Sequence, residues 1–362
     1  MNSEDNVTPN ERPRTLEELG WNDFFAEHAK PALSRGLIPG RVSLQQKKLY
    51  RVLTEKGDIP AVVAGKLRHA AKSPADFPVV GDWVMLAEGG NQATIQQVLP
   101  RKCKISRDTG TRTGRRLVTE EQVLAANVDR IFLVTALNEE FNPRRIDRYL
   151  TLIAQSGAEP ILILNKADLH PEPDKVAEIV RQSYSHIPVH VISALLQQGI
   201  DQLTPYFRRG ETVAMLGSSG VGKTTLLNDL IGEDRYAVRE TSRYKDRGKH
   251  STTYRELILL RNGGLLIDNP GLRSVQLWDV DDPSAAFPEI EELSRSCRFR
   301  NCRHLNEPDC AVLSALASGE LDPMRYESYV RLQAEKELQA KKRIRPKSGK
   351  SIKYDSWTDE WE

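Results

Sequence analysis

The feature that most constrains this chain is a glycine-rich stretch from Gly217 to Thr225, which reads GSSGVGKTT. It matches the pattern G-x-x-x-x-G-K-[ST] without a gap. The apolar run Thr212 to Leu216 precedes it, and the helix-like run Thr225 to Ile231 follows it. A flexible glycine turn is the simpler interpretation. However, the order strand, glycine-rich loop, helix is typical of a loop that turns backbone N–H groups toward phosphate oxygens. The sequence therefore predicts a nucleoside triphosphate site.

Particular groups in this loop have expected roles. The Lys223 ammonium can reach the β and γ phosphates, and the Thr224 hydroxyl can ligate Mg²⁺. The helix that starts near Gly222 adds the positive end of its dipole. The residues predicted to contact the nucleotide are Gly217, Ser218, Ser219, Gly220, Val221, Gly222, Lys223, Thr224 and Thr225.

Two stretches before this loop indicate which base is bound. Asn165, Lys166, Ala167 and Asp168 follow an apolar strand and match N-K-x-D. The carboxylate can accept hydrogen bonds from the N1–H and the exocyclic amine of guanine, a donor pair that adenine lacks. The Asn amide can tie this stretch to the glycine-rich loop. Taken alone, a helix-cap turn is a fair alternative. Ser193-Ala194 follows the next strand, and its backbone N–H can meet the guanine O6, a role that only its position supports.

Two stretches after the loop are typical of groups that respond to the γ-phosphate. Asp268-Asn269-Pro270-Gly271 ends a strand and matches D-x-x-G. Asp268 can hold Mg²⁺ through water, and the Gly271 amide can sense the γ-phosphate. The stretch His250-Ser251-Thr252-Thr253 lies before the next strand. From it, Thr252 is predicted to join the Mg²⁺ ligands, with Thr253 as the second choice.

The residue after D-N-P-G is Leu272, whereas Ras-like enzymes place a water-orienting Gln there. Because leucine cannot polarise water, either intrinsic hydrolysis is slow or another group does this work. His250 is the local candidate for the catalytic group, and a solvent-facing loop histidine is the alternative.

The order of these stretches differs from that of Ras-like GTPases, in which the glycine-rich loop comes first. Here N-K-x-D and Ser-Ala precede the loop, and D-x-x-G follows it. All the parts are present, so the sequence predicts a circularly permuted α/β domain with a mainly parallel sheet. We place this GTPase domain at residues 125–280.

The remaining chain divides by pattern into five further segments. Residues 1–35 are a polar extension around a short helical piece, and residues 36–102 hold five short strands, which predict an all-β barrel of the OB type. Such barrels bind oligonucleotides or serve as protein-contact modules. Residues 103–124 are a basic linker, and Arg101 to Arg116 hold seven Lys or Arg, suited either to solvent or to phosphate. Residues 281–340 are a mainly helical zinc-binding domain, and residues 341–362 are a basic flexible tail.

Three of the four cysteines cluster late in the chain with one histidine. Their spacing is C-x4-C-x-H-x5-C, formed by Cys297, Cys302, His304 and Cys310. Three thiolates and one imidazole make a closed tetrahedral Zn²⁺ set without an open position, so we expect one structural zinc ion. The arginines interleaved with the cluster can contact a phosphate backbone or serve solubility. Cys103 lies far away and is interpreted as a small apolar residue.

Composition limits the cellular setting. No apolar run approaches the length of a membrane span, and the polar N-terminus lacks the apolar core of a secretory signal. Few cysteines, of which most cluster, are typical of a reducing compartment. We therefore expect a cytoplasmic protein without a membrane or DNA partner, and a monomer.

Several features together resemble the RsgA (YjeQ) family of small ribosomal subunit biogenesis GTPases. These are the permuted order, the cysteine–histidine spacing, and the stretches Ala125 to Asp129, His250 to Thr253 and Asp268 to Gly271. The resemblance spans roughly residues 36–329. It implies a GTPase, with GTP/GDP and Mg²⁺, that assists late maturation of the 30S subunit, contacts its 16S rRNA and is stimulated by the subunit. It also implies that Gly217 to Thr225 and Asn165 to Asp168 bind GTP, and that Cys297, Cys302, His304 and Cys310 bind zinc. Ser251 and Asn269 depart from the usual family residues without removing a needed group.

Two other functions remain open from the residues alone. One is a GTPase switch whose barrel and zinc domain bind a protein. The other is an RNA-binding structural protein with a degenerate nucleotide site, which the intact Lys223, Thr224, Asp168 and Asp268 disfavour.

Overall fold

The computed structural model describes residues 14–46, 49–90, 92–113, 116–138, 141–232, 255–268 and 286–343. It confirms the predicted classes of structure, because a closed β-barrel, an α/β domain and a helical unit follow one another along the chain. None of the helices in these ranges is both long enough and apolar enough to cross a membrane.

The barrel contains the five predicted strands: β1 (Ile38–Gln46), β2 (Leu49–Thr54), β3 (Gly57–Val63), β4 (Trp83–Ala87) and β5 (Ala93–Val98), with the short helix α2 (Gly65–Ala70) after β3. The strands are ordered β1-β2-β3-β5-β4, and β4 pairs with β1 to close the ring. Alternate positions such as Val42, Val52 and Ile95 are fully buried and form the barrel core. This closure leaves the small sheet without a free edge inside the ring.

From residue 14 onward, the N-terminal extension packs against the barrel and the α/β domain. Helix α1 (Asp23–Leu33) begins after Asn22, whose side chain accepts a hydrogen bond from the Phe24 N–H and so caps the helix. The rings of Trp21 and Trp83 meet edge to face, with centroids 4.7 Å apart. The extension also contacts the α/β domain, because Arg209 donates to Glu18 at 2.8 Å.

A fully buried arginine joins three parts of the chain at this junction. Arg41 donates to the backbone oxygens of Leu19, Gly81 and Asn127, which belong to the extension, the barrel and the start of the α/β domain. Burial lowers the pKa of Arg41 to about 10, which still leaves it charged at neutral pH. Three carbonyl dipoles therefore replace the water that a buried guanidinium loses.

The segment expected to be a basic linker takes the form of a β-hairpin. Strand β6 (Lys104–Thr113) pairs antiparallel with β7 (Arg116–Ala126) along its whole length. At its base, Ile105 and Val123 are buried. Apolar side chains thus hold the base of the hairpin against the domain.

Within the described residues, the α/β domain has a six-stranded sheet in the order β10-β9-β8-β11-β13-β12. The strands are β8 (Arg130–Ala136), β9 (Glu159–Asn165), β10 (Val189–Val191), β11 (Thr212–Leu216), β12 (Arg255–Leu259) and β13 (Leu265–Asp268), and only β12 runs antiparallel to its neighbour. The helices are α3 (Pro143–Ser156), α4 (Pro173–Ser183) and α5 (Lys223–Ile231). Asn165, Leu216 and Asp268 end three parallel strands, so the segments that follow them meet at one edge of the sheet.

Strand β12 also connects the two sheets. Its residues Arg255 and Glu256 pair with Gln45 and Leu44 of β1. The barrel and the α/β sheet are therefore hydrogen-bonded to each other, and the edge of the α/β sheet is partly covered.

The C-terminal unit consists of helices α6 (Pro288–Ser294), α7 (Ala311–Ser318) and α8 (Pro323–Arg343). Helix α8 packs against α3 of the α/β domain, and it extends into the first residues of the segment expected to be a tail. Residues 344–362 lie outside the described ranges.

Candidate functional site

The glycine-rich loop adopts a backbone that requires its glycines. Gly217, Gly220 and Gly222 have φ values of 146°, 81° and 95°. A Cβ atom on Gly217 would lie 2.2 Å from the Val134 carbonyl oxygen. Any larger residue there would push the loop away from β8.

The lysine of this loop is folded back over it. The Lys223 side chain is buried, and its Nζ donates to the backbone oxygens of Gly217 at 2.7 Å and Ser218 at 2.5 Å. Thr224 follows it in the first turn of α5. A cation held against the backbone of the loop, beside a helix N-terminus, is an arrangement suited to phosphate oxygens.

Asn165 joins three of the predicted stretches. Its side chain is almost completely buried, donates from Nδ2 to the Val221 oxygen at 2.8 Å, and accepts at Oδ1 from the Ala194 N–H at 3.0 Å. One amide therefore sets the spacing between the glycine-rich loop and the two loops predicted to recognise the base.

Asp168 is held by the same network. Ser193 Oγ donates to Asp168 Oδ1 at 2.5 Å and accepts from the Leu196 N–H at 3.2 Å. Lys166 has a φ of 62°, which turns the chain so that Ala167 N–H donates to the Ile192 oxygen at 3.1 Å. The Asp168 carboxylate is thus oriented by a neighbouring loop rather than free in solution.

The magnesium and switch residues are described only in part. Asp268 ends β13 and is 8% exposed, at the same sheet edge as the glycine-rich loop. The other predicted residues, His250, Thr252, Thr253 and Gly271, lie outside the described residues.

Sequence patterns did not single out one residue that contacts the glycine-rich loop. Arg145, in the first turn of α3, donates from Nη1 to Ser218 Oγ at 3.1 Å. It stands outside every recognised pattern, and the one available signal is its place at the start of the helix that follows β8.

The cysteine–histidine cluster is assembled in space. The donor atoms of Cys297, Cys302, His304 and Cys310 lie within 4.8 Å of one another. Cys297 Sγ is 3.8 Å from Cys310 Sγ and 3.6 Å from His304 Nδ1, and His304 Nδ1 is 3.4 Å from Cys310 Sγ. A tetrahedral zinc ion with ordinary bond lengths would separate two sulfurs by about 3.8 Å and a sulfur from a nitrogen by about 3.6 Å. Cys297, His304 and Cys310 therefore have nearly the spacing that zinc requires, and Cys302 lies close enough to supply the fourth ligand.

A buried ionic network fastens the cluster-bearing unit to the α/β domain. Arg325 of α8 donates to Asp147 of α3 and, at 2.7 Å, to Glu289. Its guanidinium lies 4.3 Å from the centre of the Phe287 ring. Burial raises the pKa of Asp147, an effect that Arg325 opposes. Burial alone would lower the pKa of Arg325, but the two carboxylates raise it. Sequence patterns did not predict this contact.

The fold and the order of the stretches define a circularly permuted P-loop GTPase. The structure is similar to two solved chains, YjeQ from Thermotoga maritima and YloQ, described as a circularly permuted GTPase. The first has a TM-score of 0.62 and 27% identity, covering 83% of this chain and 98% of that one. The second has a TM-score of 0.62 and 26% identity, covering 86% and 97%.

Sequence comparison narrows this class to one family. The RsgA GTPase family model matches residues 98–278. Small ribosomal subunit biogenesis GTPase RsgA of Opitutus terrae is 44% identical over 343 residues, 91% of each chain. The protein of the same name from Syntrophotalea carbinolica is 42% identical over 330 residues, 88% of this chain and 89% of that one. The chain belongs to the RsgA GTPase family, and its enzymatic activity is GTP hydrolysis.

Proposed function

We propose that this GTPase binds the 30S ribosomal subunit, assists its late maturation, and hydrolyses GTP to GDP and phosphate faster when the subunit is bound. The proposal that the protein binds GTP rests on the Asn165 side chain, which joins the phosphate loop to both loops predicted to recognise the base. The ribosomal part rests on the relatives, which are named small ribosomal subunit biogenesis GTPase and align with about nine-tenths of this chain.

On this proposal, the loop from Gly217 to Thr225 holds the phosphates. Lys223 would exchange its two backbone oxygens for phosphate oxygens, because a charged acceptor makes the stronger hydrogen bond. The base would lie against Asn165, Lys166, Ala167 and Asp168, with Ser193 and Ala194 beside its O6. The Ala194 N–H, which donates to Asn165 Oδ1 in the structure, would then be shared with O6. Asp168 supports guanine because its carboxylate offers acceptors only.

Magnesium fits the donor set at the same sheet edge. The Thr224 hydroxyl, the buried Asp268 carboxylate and the predicted Thr252 hydroxyl are oxygen donors of the kind that Mg²⁺ prefers. When bound, the ion neutralises charge that develops between the β and γ phosphates. We assign Gly271 to γ-phosphate sensing and His250 to positioning or activating the attacking water.

Zinc is proposed as a structural ion. It would be held by Cys297, Cys302, His304 and Cys310, which leave no position for a substrate. Its contribution would be to fix the loop between α6 and α7, a short segment with little apolar core of its own.

The proposed partner is the 30S subunit and its 16S rRNA, bound by a monomer in the cytoplasm. The charged hairpin β6–β7 and the arginines beside the cysteine cluster support an RNA partner, because phosphate backbones attract guanidinium groups. We propose no DNA or membrane partner.

The test is GTP hydrolysis by the purified full chain, alone and with purified 30S subunits, with ATP and 50S subunits as controls. We expect hydrolysis of GTP only, and stimulation by 30S subunits only. GTP hydrolysis that 30S subunits leave unchanged would refute the ribosomal part and favour a GTPase switch with a protein partner.

A further inference from the structure

A cleft lined with arginines lies beside the phosphate loop, and none of its lining residues is among the predicted nucleotide contacts. It has a volume of about 250 Å³ and is formed where α8 crosses α3. Three of its arginines, Arg144, Arg145 and Arg148, come from α3, and Arg331 comes from α8. Helix α3 of the α/β domain and helix α8 of the C-terminal unit thus both place guanidinium groups in the cleft.

The cleft carries an excess of positive charge. Arg144 pairs with Glu327 at 3.2 Å and Arg148 with Glu335 at 2.5 Å. Arg145 and Arg331 have no carboxylate partner among the residues that the structure describes. Four guanidinium groups therefore face two carboxylates, which leaves the cleft suited to an anion.

The walls of the cleft are fixed in place. Asp147 and Arg325 form the buried bridge between the same two helices, and both side chains are only 3% exposed. The two helices therefore keep their spacing before any ligand arrives, which reduces the entropy lost on binding.

One arginine of the cleft reaches the nucleotide site. Arg145 donates to the hydroxyl of Ser218 in the phosphate loop at 3.1 Å. A phosphate oxygen is a stronger acceptor than a serine hydroxyl, since it is charged. An anion in the cleft would thus compete with Ser218 for the same guanidinium.

We infer that this cleft binds a phosphate group of an RNA backbone, and that Arg145 transmits its binding to the phosphate loop. The inference rests on the proposed function, which supplies an RNA-rich partner. Guanidinium groups suit phosphate because they can donate two parallel hydrogen bonds. A volume of about 250 Å³ is below the roughly 300–1,000 Å³ of a site that encloses a whole drug-sized ligand. It suits one group of a longer chain better than a free nucleotide.

The first experiment tests the cleft through the salt dependence of RNA binding. A fluorescein-labelled RNA hairpin is titrated with the full chain at several salt concentrations, for the wild type, Arg331→Gln and Arg181→Gln. Arg181 is an arginine of α4 outside the cleft, so its replacement removes the same charge. Loss of one phosphate contact should reduce the slope of log affinity against log salt by about 0.9, and weaken binding about fivefold at 0.15 M salt.

We expect this change in Arg331→Gln and not in Arg181→Gln. Equal behaviour of the two variants, or a wild type that does not bind the RNA, would overturn the inference. A second equivalent of GTP that binds the wild type and not Arg331→Gln would assign the cleft to a free nucleotide instead, and would also overturn it.

The second experiment tests the link to the phosphate loop. GTP hydrolysis is measured at saturating 30S subunits for the wild type, Arg145→Gln and Arg331→Gln. Saturation removes differences in affinity for the subunit, so we expect Arg331→Gln to be stimulated as strongly as the wild type. In Arg145→Gln, the ratio of the stimulated to the basal rate should be at least threefold lower than in the wild type. Stimulation of Arg145→Gln equal to that of the wild type would refute the link. A wild type without stimulation would refute the proposed ribosomal function and the link, whereas the RNA titration would still decide the cleft.

Discussion

Replacing Arg325 by methionine should detach the C-terminal unit from the α/β domain. The bridge from Arg325 to Asp147 is the contact that ties α8 to α3 at its most buried point. Methionine keeps much of the volume and the packing against Phe287. The change therefore removes the charge while limiting the cavity.

The size of the loss in stability depends on whether each former partner of Arg325 can form other hydrogen bonds. The Glu289 side chain is 32% exposed, so water can replace the arginine there. Asp147 is 3% exposed and keeps the Tyr184 hydroxyl, which donates at 2.9 Å. Removing one member of a buried ion pair costs about 3–5 kcal/mol, because the remaining charge stays buried. The free energy of opening of α8 should fall by that amount.

Hydrogen exchange followed by mass spectrometry measures this opening directly. Protection of amides in α8 should fall roughly 10²- to 10⁴-fold in Arg325→Met. The matched control is Arg303→Gln, which breaks the bridge to Glu337 between side chains that are 60% and 49% exposed. An exposed pair contributes at most about 1 kcal/mol. If the two variants lose the same protection, the buried bridge does not hold the unit in place.

The same variant should respond to pH. Burial already raises the pKa of Asp147, and loss of Arg325 should raise it further. A carboxyl whose pKa is higher in the folded state favours folding when protonated, so stability falls as pH rises from the ordinary carboxyl value through the raised one. The loss of protection in Arg325→Met, corrected for intrinsic exchange, should therefore be smaller in mild acid than at pH 7. A loss that is independent of pH would contradict this account.

Three further predictions concern the nucleotide and metal sites. Gly222→Ala should weaken GTP binding at least tenfold in a fluorescence titration, because its Cβ would lie 2.3 Å from Asn165 Nδ2. The control is Gly232→Ala, since Gly232 has a φ of 76° and no atom lies within 4 Å of the added Cβ. Equal losses of affinity in the two variants would contradict the clash. Asp168→Asn should lower GTP affinity roughly 10²- to 10⁴-fold and favour xanthosine triphosphate, because two hydrogen bonds to a charged group are lost; unchanged base preference in competition binding would remove the guanine assignment. Cys310→Ser should lower the zinc content measured by atomic absorption and the amide protection of α7, while GTP affinity stays within about twofold. A fully loaded Cys310→Ser protein would exclude this thiol as a ligand.

Local patterns in the sequence predicted most of the fold. The apolar strands that end near Asn165 and Leu216 are short continuous runs bounded by polar residues, so their type could be recognised without tertiary information. The five barrel strands were also recognisable from alternation. Each of these elements can be recognised from fewer than ten consecutive residues.

The elements that were missed depend on distant contacts. The hairpin β6–β7 was concealed by the seven basic residues from Arg101 to Arg116, because apolar positions such as Ile105 become informative only when their burial is known. Helix α6 was concealed by its acidic residues around Ile290. No local pattern predicts that an arginine is buried, since arginines are mostly exposed. The partner of Arg325 lies 178 positions away.

The docking of the N-terminal extension has a consequence for the order of events during synthesis. Glu18 pairs with Arg209, a residue made 191 positions later. At about 5–20 residues per second, the ribosome needs roughly 10–40 s to reach it. Trp21 gains its barrel partner, Trp83, in the first part of this interval, but the extension still lacks its second surface. The extension therefore completes its packing only after strands β8, β9 and β10 of the α/β domain have been synthesised.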